Sequence, residues 1–323
     1  MTAASVAAIF PGQGSQRVGM GRDLYEASSA ARSLLDRADA AVPGLLHLMW
    51  EGPDTALQLT ENQQPALVAA GAAAYAAYLE RGGPPASIGA GHSLGEYTAH
   101  VAAGSLSIED AVRLVRSRGR YMQDAVPDGV GAMAAILKIE TTVIDEVIAS
   151  VMAPAEAGGA GEVVAVANLN APGQTVISGT ARGVALAVER LKGLGARAIP
   201  LKVSAPFHCE LMAPAAARLA PDLLATRFGA PAFDIVSNVT ARALPSPQDA
   251  ADLLIKQVTA TVRWVDCMRF MGASADTGSG VRFIEFGSGE VLTNLARRIL
   301  QDANAVALYD AATLEEVCDD NRA

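Results

Sequence analysis

The sequence predicts an α/β fold, a hydrolase-like large domain with a mostly parallel sheet flanked by helices, plus an inserted small β-α-β-β-α-β subdomain. Three observations carry this. Short apolar, β-prone runs alternate with helical runs over most of the chain, the pattern of a doubly wound sheet covered on both faces. The pentapeptide Gly91-His92-Ser93-Leu94-Gly95 lies between a β-prone run, 86–90, and a helical run from Glu96 to Ala103, which is the setting of a nucleophile elbow. From Gly131 to Val203 the order changes to strand, helix, two strands, helix, strand, a ferredoxin-like arrangement.

In chain order, Ser5 to Phe10 reads as a first strand stopped by Pro11, and Gly12-Gln13-Gly14-Ser15-Gln16 as a glycine loop before a helix of 19–40. That loop lacks the Lys-Ser/Thr of a P-loop, so no nucleotide site is assigned. Short helices are expected at 45–50 and 54–59, and a longer one at 65–81, broken by Gly82-Gly83-Pro84-Pro85 before the elbow strand. Helix 107–125 follows the elbow. The inserted unit then reads as strand 131–139, helix 141–151, strands 162–167 and 174–178, helix 181–194 and strand 197–203, with a Gly/Ala-rich loop at 155–161. Beyond it come strand 234–238, helices 246–260 and 263–271, strand 281–286, helix 291–300 and a last strand at 305–309; the acidic tail after Glu315 is expected to fray. The expected division is therefore 1–128 with 203–323 as the large domain and 129–202 as the subdomain.

The bulk properties narrow the function classes. A chain of 323 residues is long enough for two domains of ~150. A net charge of -9 argues against general nucleic-acid binding. The cysteines, Cys209, Cys267 and Cys318, are odd in number and widely spaced, so reduced thiols in a cytoplasm are expected rather than disulfides or a metal site. The N-terminus has no basic start, and the longest apolar stretch, 65–79, is too short to span a bilayer, so neither a signal peptide nor membrane attachment is expected.

Ser93 is the candidate nucleophile, with the following helix aiming its unpaired N–H groups at the reacting atoms. On helix 107–125, Ala111, Leu114, Val115, Arg118 and Met122 form one stripe, so Arg118 faces the core while Arg113, Arg116 and Arg120 face solvent. A buried guanidinium needs a carboxylate, from this chain or from a substrate. His208, in Pro206-Phe207-His208-Cys209, enters where the chain returns from the subdomain, beside an interdomain cleft. By elimination it is the base for Ser93: His47 is assigned to packing, His92 to a structural role, and His100 lies two turns down the helix.

These motifs, with Phe10-Pro11-Gly12-Gln13-Gly14-Ser15-Gln16 and Gln257 before Trp264, resemble the malonyl-CoA:acyl carrier protein transacylase family over about residues 6 to 300. The resemblance implies a Ser93–His208 dyad oriented by a main-chain carbonyl, an oxyanion hole from the N–H groups of Gln13 and Leu94, and Arg118 clamping the malonyl carboxylate with Gln257 arranging the site. It implies malonyl-CoA and acyl carrier protein as partners, no bound cofactor, and a monomer. Gln64 and Asn168 also fall in family-like contexts. Where the family has Gly-Pro-Gly followed by Lys, this chain has Gly287-Ser288-Gly289-Glu290. Phe207 is expected to fill the space an α-methyl group would need, favouring malonyl over methylmalonyl. Polyketide acyl transfer, a serine thioesterase or hydrolase, and a silent carrier-binding scaffold are the alternatives.

Overall fold

The computed structural model describes residues 5–127, 129–153, 162–203, 205–274 and 280–319; the loop expected at 155–161 and the end of the tail lie outside them. The described strands are β1 (Ser5–Phe10), β2 (Ile88–Gly91), β3 (Gly131–Leu137), β4 (Val164–Ala171), β5 (Gln174–Thr180), β6 (Arg197–Pro200), β7 (Asp234–Val236), β8 (Val281–Phe286) and β9 (Asn304–Leu308). One sheet has the order β7-β2-β1-β8-β9 with every neighbouring pair parallel. Its central strands are buried on both faces, which is why β1 and β2 read as continuous apolar runs rather than alternating ones.

The second sheet, β4-β5-β3-β6, is antiparallel, with a helix after β3 and another after β5, as the β-α-β-β-α-β order anticipates. One of its faces closes a small core of its own, built on Ile136, Ile144, Ile177 and Leu191. Met133, Ala167 and Val176 instead join the core of the large sheet. The edge of β4 meets the large domain through Leu169 N–H to Val262 O at 2.9 Å and Val262 N–H to Ala167 O at 2.9 Å. We propose that 129–202 is an inserted subdomain.

Helix 19–40 is in fact two helices, Arg22–Ala27 and Ser29–Ala41. Ser28 adopts an extended backbone between them and its side chain accepts the Ala31 N–H, an N-cap that outweighs the continuous apolar pattern. The long helix starts at Thr60, five residues before the expected 65, and keeps Pro65 inside. Burial on nearly every side of this helix outweighs the one hydrogen bond that proline forgoes. Helix Ala213–Ala225 escaped the sequence reading because of Pro214 and Pro221, although Ala215, Leu219 and Leu223 mark its buried stripe. The tail does not fray at Glu315: helix Ala311–Asp319 buries Leu314, Val317 and Cys318.

The elbow depends on backbone contact. A Cβ on Gly91 would lie 1.8 Å from the Gly95 carbonyl carbon, and one on Gly95 would lie 2.1 Å from the Phe10 carbonyl oxygen. Both glycines exist so that strand, turn and helix can touch. Gly95→Ala is therefore expected to destabilise the fold by at least the ~1–3 kcal/mol of ordinary overpacking. Chemical denaturation checks this, and an unchanged midpoint would refute it.

Candidate active site

Ser93 sits at the tip of the turn between β2 and helix Gly95–Ala102 with a positive φ of 51°. A non-glycine residue holds that conformation only where its surroundings impose it. The imposing residue is Asn238, just past β7, whose Oδ1 accepts the Ser93 N–H at 2.7 Å and whose Nδ2 donates to Gly91 O at 2.8 Å. Nothing in the sequence flagged Asn238, because its partners are 145 and 147 residues away.

His208, also at positive φ (59°), brings its Nε2 to 2.8 Å from Ser93 Oγ. Its Nδ1 faces two main-chain carbonyls, Gln257 O at 3.0 Å and Ala260 O at 3.1 Å. Both can only accept, so the proton resides on Nδ1 and Nε2 presents a lone pair to the serine hydroxyl. Burial first, then the positive charge of Arg118, push the imidazole down to about 3. It is therefore neutral at ordinary pH and able to accept a proton.

Arg118, only 1% exposed, completes the cluster. Nη1 donates to Gln64 Oε1 at 2.9 Å, and Nη2 donates to Ser93 Oγ at 3.0 Å and to Gln257 Oε1 at 3.1 Å. The Tyr97 ring lies 5.7 Å from the guanidinium carbon. Among the described residues no ion pair neutralises it. The requirement for a carboxylate from this chain thus gives way to neutral amide oxygens, and burial pulls the guanidinium below its usual range. Glu96, wholly buried, accepts Gln257 Nε2–H at 2.7 Å through Oε2, and burial raises it to about 7. Gln64 and Glu96 were the quieter members of this cluster in sequence: Gln64 stood only in a family-like context, and Glu96 read as the next residue of a helix.

A cavity of about 560 Å³ opens onto Ser93 and His208 and is lined by Gln13, His92, Met133, Asn168, Lys202 and Phe207 among others. Arg118, Gln257 and Leu94 stand behind this surface as buried residues. The glycine loop does approach the elbow, since a Cβ on Gly12 would meet His92 O at 2.6 Å. Among the described residues no acceptor takes the N–H of Gln13 or of Leu94. His92 donates its Nε2–H to Asn170 Oδ1 at 2.8 Å, and His100 Nδ1 shares a hydrogen bond with Ser105 Oγ at 2.7 Å away from the cavity. His47 is exposed, not packed, because it falls on the outer side of its short helix.

Arg113, Arg116 and Arg120 line a separate surface hollow, and Arg297 and Arg298 are exposed elsewhere. All three cysteines are buried free thiols. Among the described residues no group of three or more His, Cys, Asp and Glu is placed to hold a metal, and no helix is long and apolar enough to cross a membrane.

Residues 8–308 match the acyl transferase domain family. The malonyl CoA-acyl carrier protein transacylase of Bacillus subtilis is 44% identical over 312 residues, 96% of this chain and 95% of the relative. An acyl carrier protein S-malonyltransferase from Vibrio cholerae superposes with a TM-score of 0.91 at 40% identity, covering 97% of this chain and all of that one (100%). A malonyl-transacylase solved in complex with its type II polyketide synthase acyl carrier protein superposes equally well, TM-score 0.91 at 38% identity over 98% of this chain and 100% of that one. With a serine, an imidazole and an unneutralised guanidinium meeting at one elbow, and with this likeness over nearly its whole length, the chain belongs to the acyl transferase family, among the malonyl-CoA:acyl carrier protein transacylases.

Proposed function

We propose that this protein transfers the malonyl group of malonyl-CoA to the phosphopantetheine thiol of an acyl carrier protein through a malonyl-Ser93 intermediate, supplying extender units for fatty acid synthesis. The observation that carries the reading is that Ser93 Oγ is shared between His208 Nε2 at 2.8 Å and the guanidinium of Arg118 at 3.0 Å. The imidazole is a base for the hydroxyl; the cation is a partner for a carboxylate, and none among the described residues is ion-paired with it.

In the first half-reaction Ser93 Oγ attacks the thioester carbonyl carbon while its proton passes to His208 Nε2. The carbonyl oxygen becomes an oxyanion in reach of the Gln13 and Leu94 N–H groups, whose lack of a protein acceptor supports this role. Collapse breaks the carbon–sulfur bond, and the imidazolium returns its proton to the departing CoA sulfur. The second half-reaction runs the same steps in reverse with the carrier thiol as nucleophile. Throughout, the two carbonyls on Nδ1 hold the ring in place and balance its transient charge, the task an aspartate performs in a triad.

A hydrolase has no use for Arg118, whereas a dicarboxylic acyl group gives the buried cation its counterion. Fatty acid and polyketide roles share this chemistry, and the solved complex with a polyketide carrier supports an acyl carrier protein as the acceptor. Mass spectrometry after mixing with malonyl-CoA tests the reading. A malonyl adduct on Ser93, discharged by carrier thiol faster than by water, is expected. Free malonate without carrier would mean a hydrolase, and no adduct at all a scaffold.

Two further outcomes follow from the geometry. Arg118→Ala is expected to lower kcat/KM for malonyl-CoA at least ~30-fold, the low end of the ~2–5 kcal/mol carried by a buried charged partner. Acetyl transfer should be retained or gained, and equal loss of both would count against the clamp. For an uncharged acylating ester such as p-nitrophenyl acetate, falling pH removes the base only when His208 protonates, near 3. The burst rate should therefore stay level from about pH 8 to about pH 5; an acid limb centred on the ordinary imidazole value of ~6.5 would contradict it.

A further inference from the structure

The mechanism above gives no task to Glu96, a buried ionisable group that touches the site's own residues. Glu96 lies in the first turn of the elbow helix, fully buried, and keeping a carboxylate there costs several kcal/mol unless its contacts compensate. Its Oε2 accepts two N–H groups, from Asn238 N at 3.0 Å and from Gln257 Nε2 at 2.7 Å. Asn238 clamps the elbow, and Gln257 holds the guanidinium together with Gln64.

The Gln257 amide has two ends of opposite character, and its neighbours distinguish them. Nε2 donates to Glu96 Oε2 and to Ser93 O at 3.0 Å, while Oε1 accepts from Arg118 Nη2 at 3.1 Å. Turned over, the amide would point N–H groups at a guanidinium, which only donates, and oxygen at a carboxylate and a carbonyl, which only accept. Oε2 of Glu96 accepts from both neighbours whether the acid is ionised or carries a proton on Oε1, which has no partner among the described residues, so it selects the orientation that leaves an oxygen for Arg118.

We infer that Glu96 is a positioning residue: through the Gln257 amide it holds Arg118 beside Ser93 without neutralising it, and so sets the preference for a carboxylate-bearing acyl group. The inference rests on the acyl-transfer reading of the site. Because the carboxylate reaches the guanidinium only through a neutral amide, the cation stays available to substrate. The link to His208 is different, since Nδ1 uses the Gln257 main chain rather than its side chain.

Two variants test this. Glu96→Gln keeps the size but no longer offers acceptors alone, and Glu96→Asp keeps the charge but falls one methylene short of Gln257. Each is assayed for Ser93 acylation by malonyl-CoA and by acetyl-CoA, alone and combined with Gln257→Ala, beside a circular-dichroism melt; Glu96→Asp decides the matter if Glu96→Gln is unfolded. Misplacing a binding group by about an ångström can cost up to ~100-fold, so kcat/KM for malonyl-CoA is expected to fall about tenfold or more, chiefly through KM. Acylation by acetyl-CoA should fall clearly less, the loss common to both donors reflecting the Asn238 contact, and the malonyl-selective part of the penalty should vanish in the Gln257→Ala background. Equal loss with both donors, or an undiminished penalty on top of Gln257→Ala, overturns the assignment. Wild-type protein that takes no malonyl group onto Ser93 would instead defeat the acyl-transfer reading, and that control is scored first.

Discussion

The hydrogen bond from Ser93 Oγ to His208 Nε2 joins residues 115 apart in the chain, and most of the architecture serves to hold its two ends at 2.8 Å. The serine end is fixed by backbone crowding at Gly91 and Gly95 and by the Asn238 side chain. The imidazole end is fixed by two carbonyls, one from the last residue of helix Asp249–Gln257 and one from Ala260 just beyond it. Both residues sit at positive φ, a strain that a single loop does not sustain and that three converging elements do.

Electrostatics at the site follow from what is missing as much as from what is present. A guanidinium paired with an internal acid would be spent before substrate arrived. Here it is surrounded by amide oxygens, an aromatic ring and the serine hydroxyl, which satisfy its hydrogen bonds and leave its charge in place. The same charge helps to keep His208 neutral, so one cation serves both substrate recognition and the state of the base.

The antiparallel sheet shapes the space above this pair. Met133 and Asn168, from β3 and β4, and Leu201 and Lys202, just after β6, line the cavity that Gln13, His92 and Phe207 line from the large domain. Phe207 is nearly buried there, 7% exposed, and presents a bulky wall beside His208. The pairing of β4 with the 260–262 segment ties that sheet to the same stretch of chain that orients the imidazole.

Much of this was legible before any coordinates. The alternation of apolar strands and helices, the glycines flanking Ser93, the arginine on an apolar stripe and the histidine at the domain junction are local patterns. Each is a consequence of helix or strand periodicity, or of turn sterics, acting over a few residues. Other features are set by residues far apart in the chain, and local pattern carries no trace of them. The break at Ser28, the early start at Thr60 despite Pro65, and the helix Ala213–Ala225 despite its prolines are decided by capping and burial against distant elements. The partners of Arg118 belong here too: periodicity placed the guanidinium inside, but only the packing of the 60–80 and 249–257 helices around it decided that amides rather than acids would receive it. Chemistry-bearing residue types were thus determined by sequence alone. Their hydrogen-bond partners were decided by the tertiary fold, because a hydrogen bond needs an acceptor within about 3 Å and no local rule fixes what lies that close across a domain.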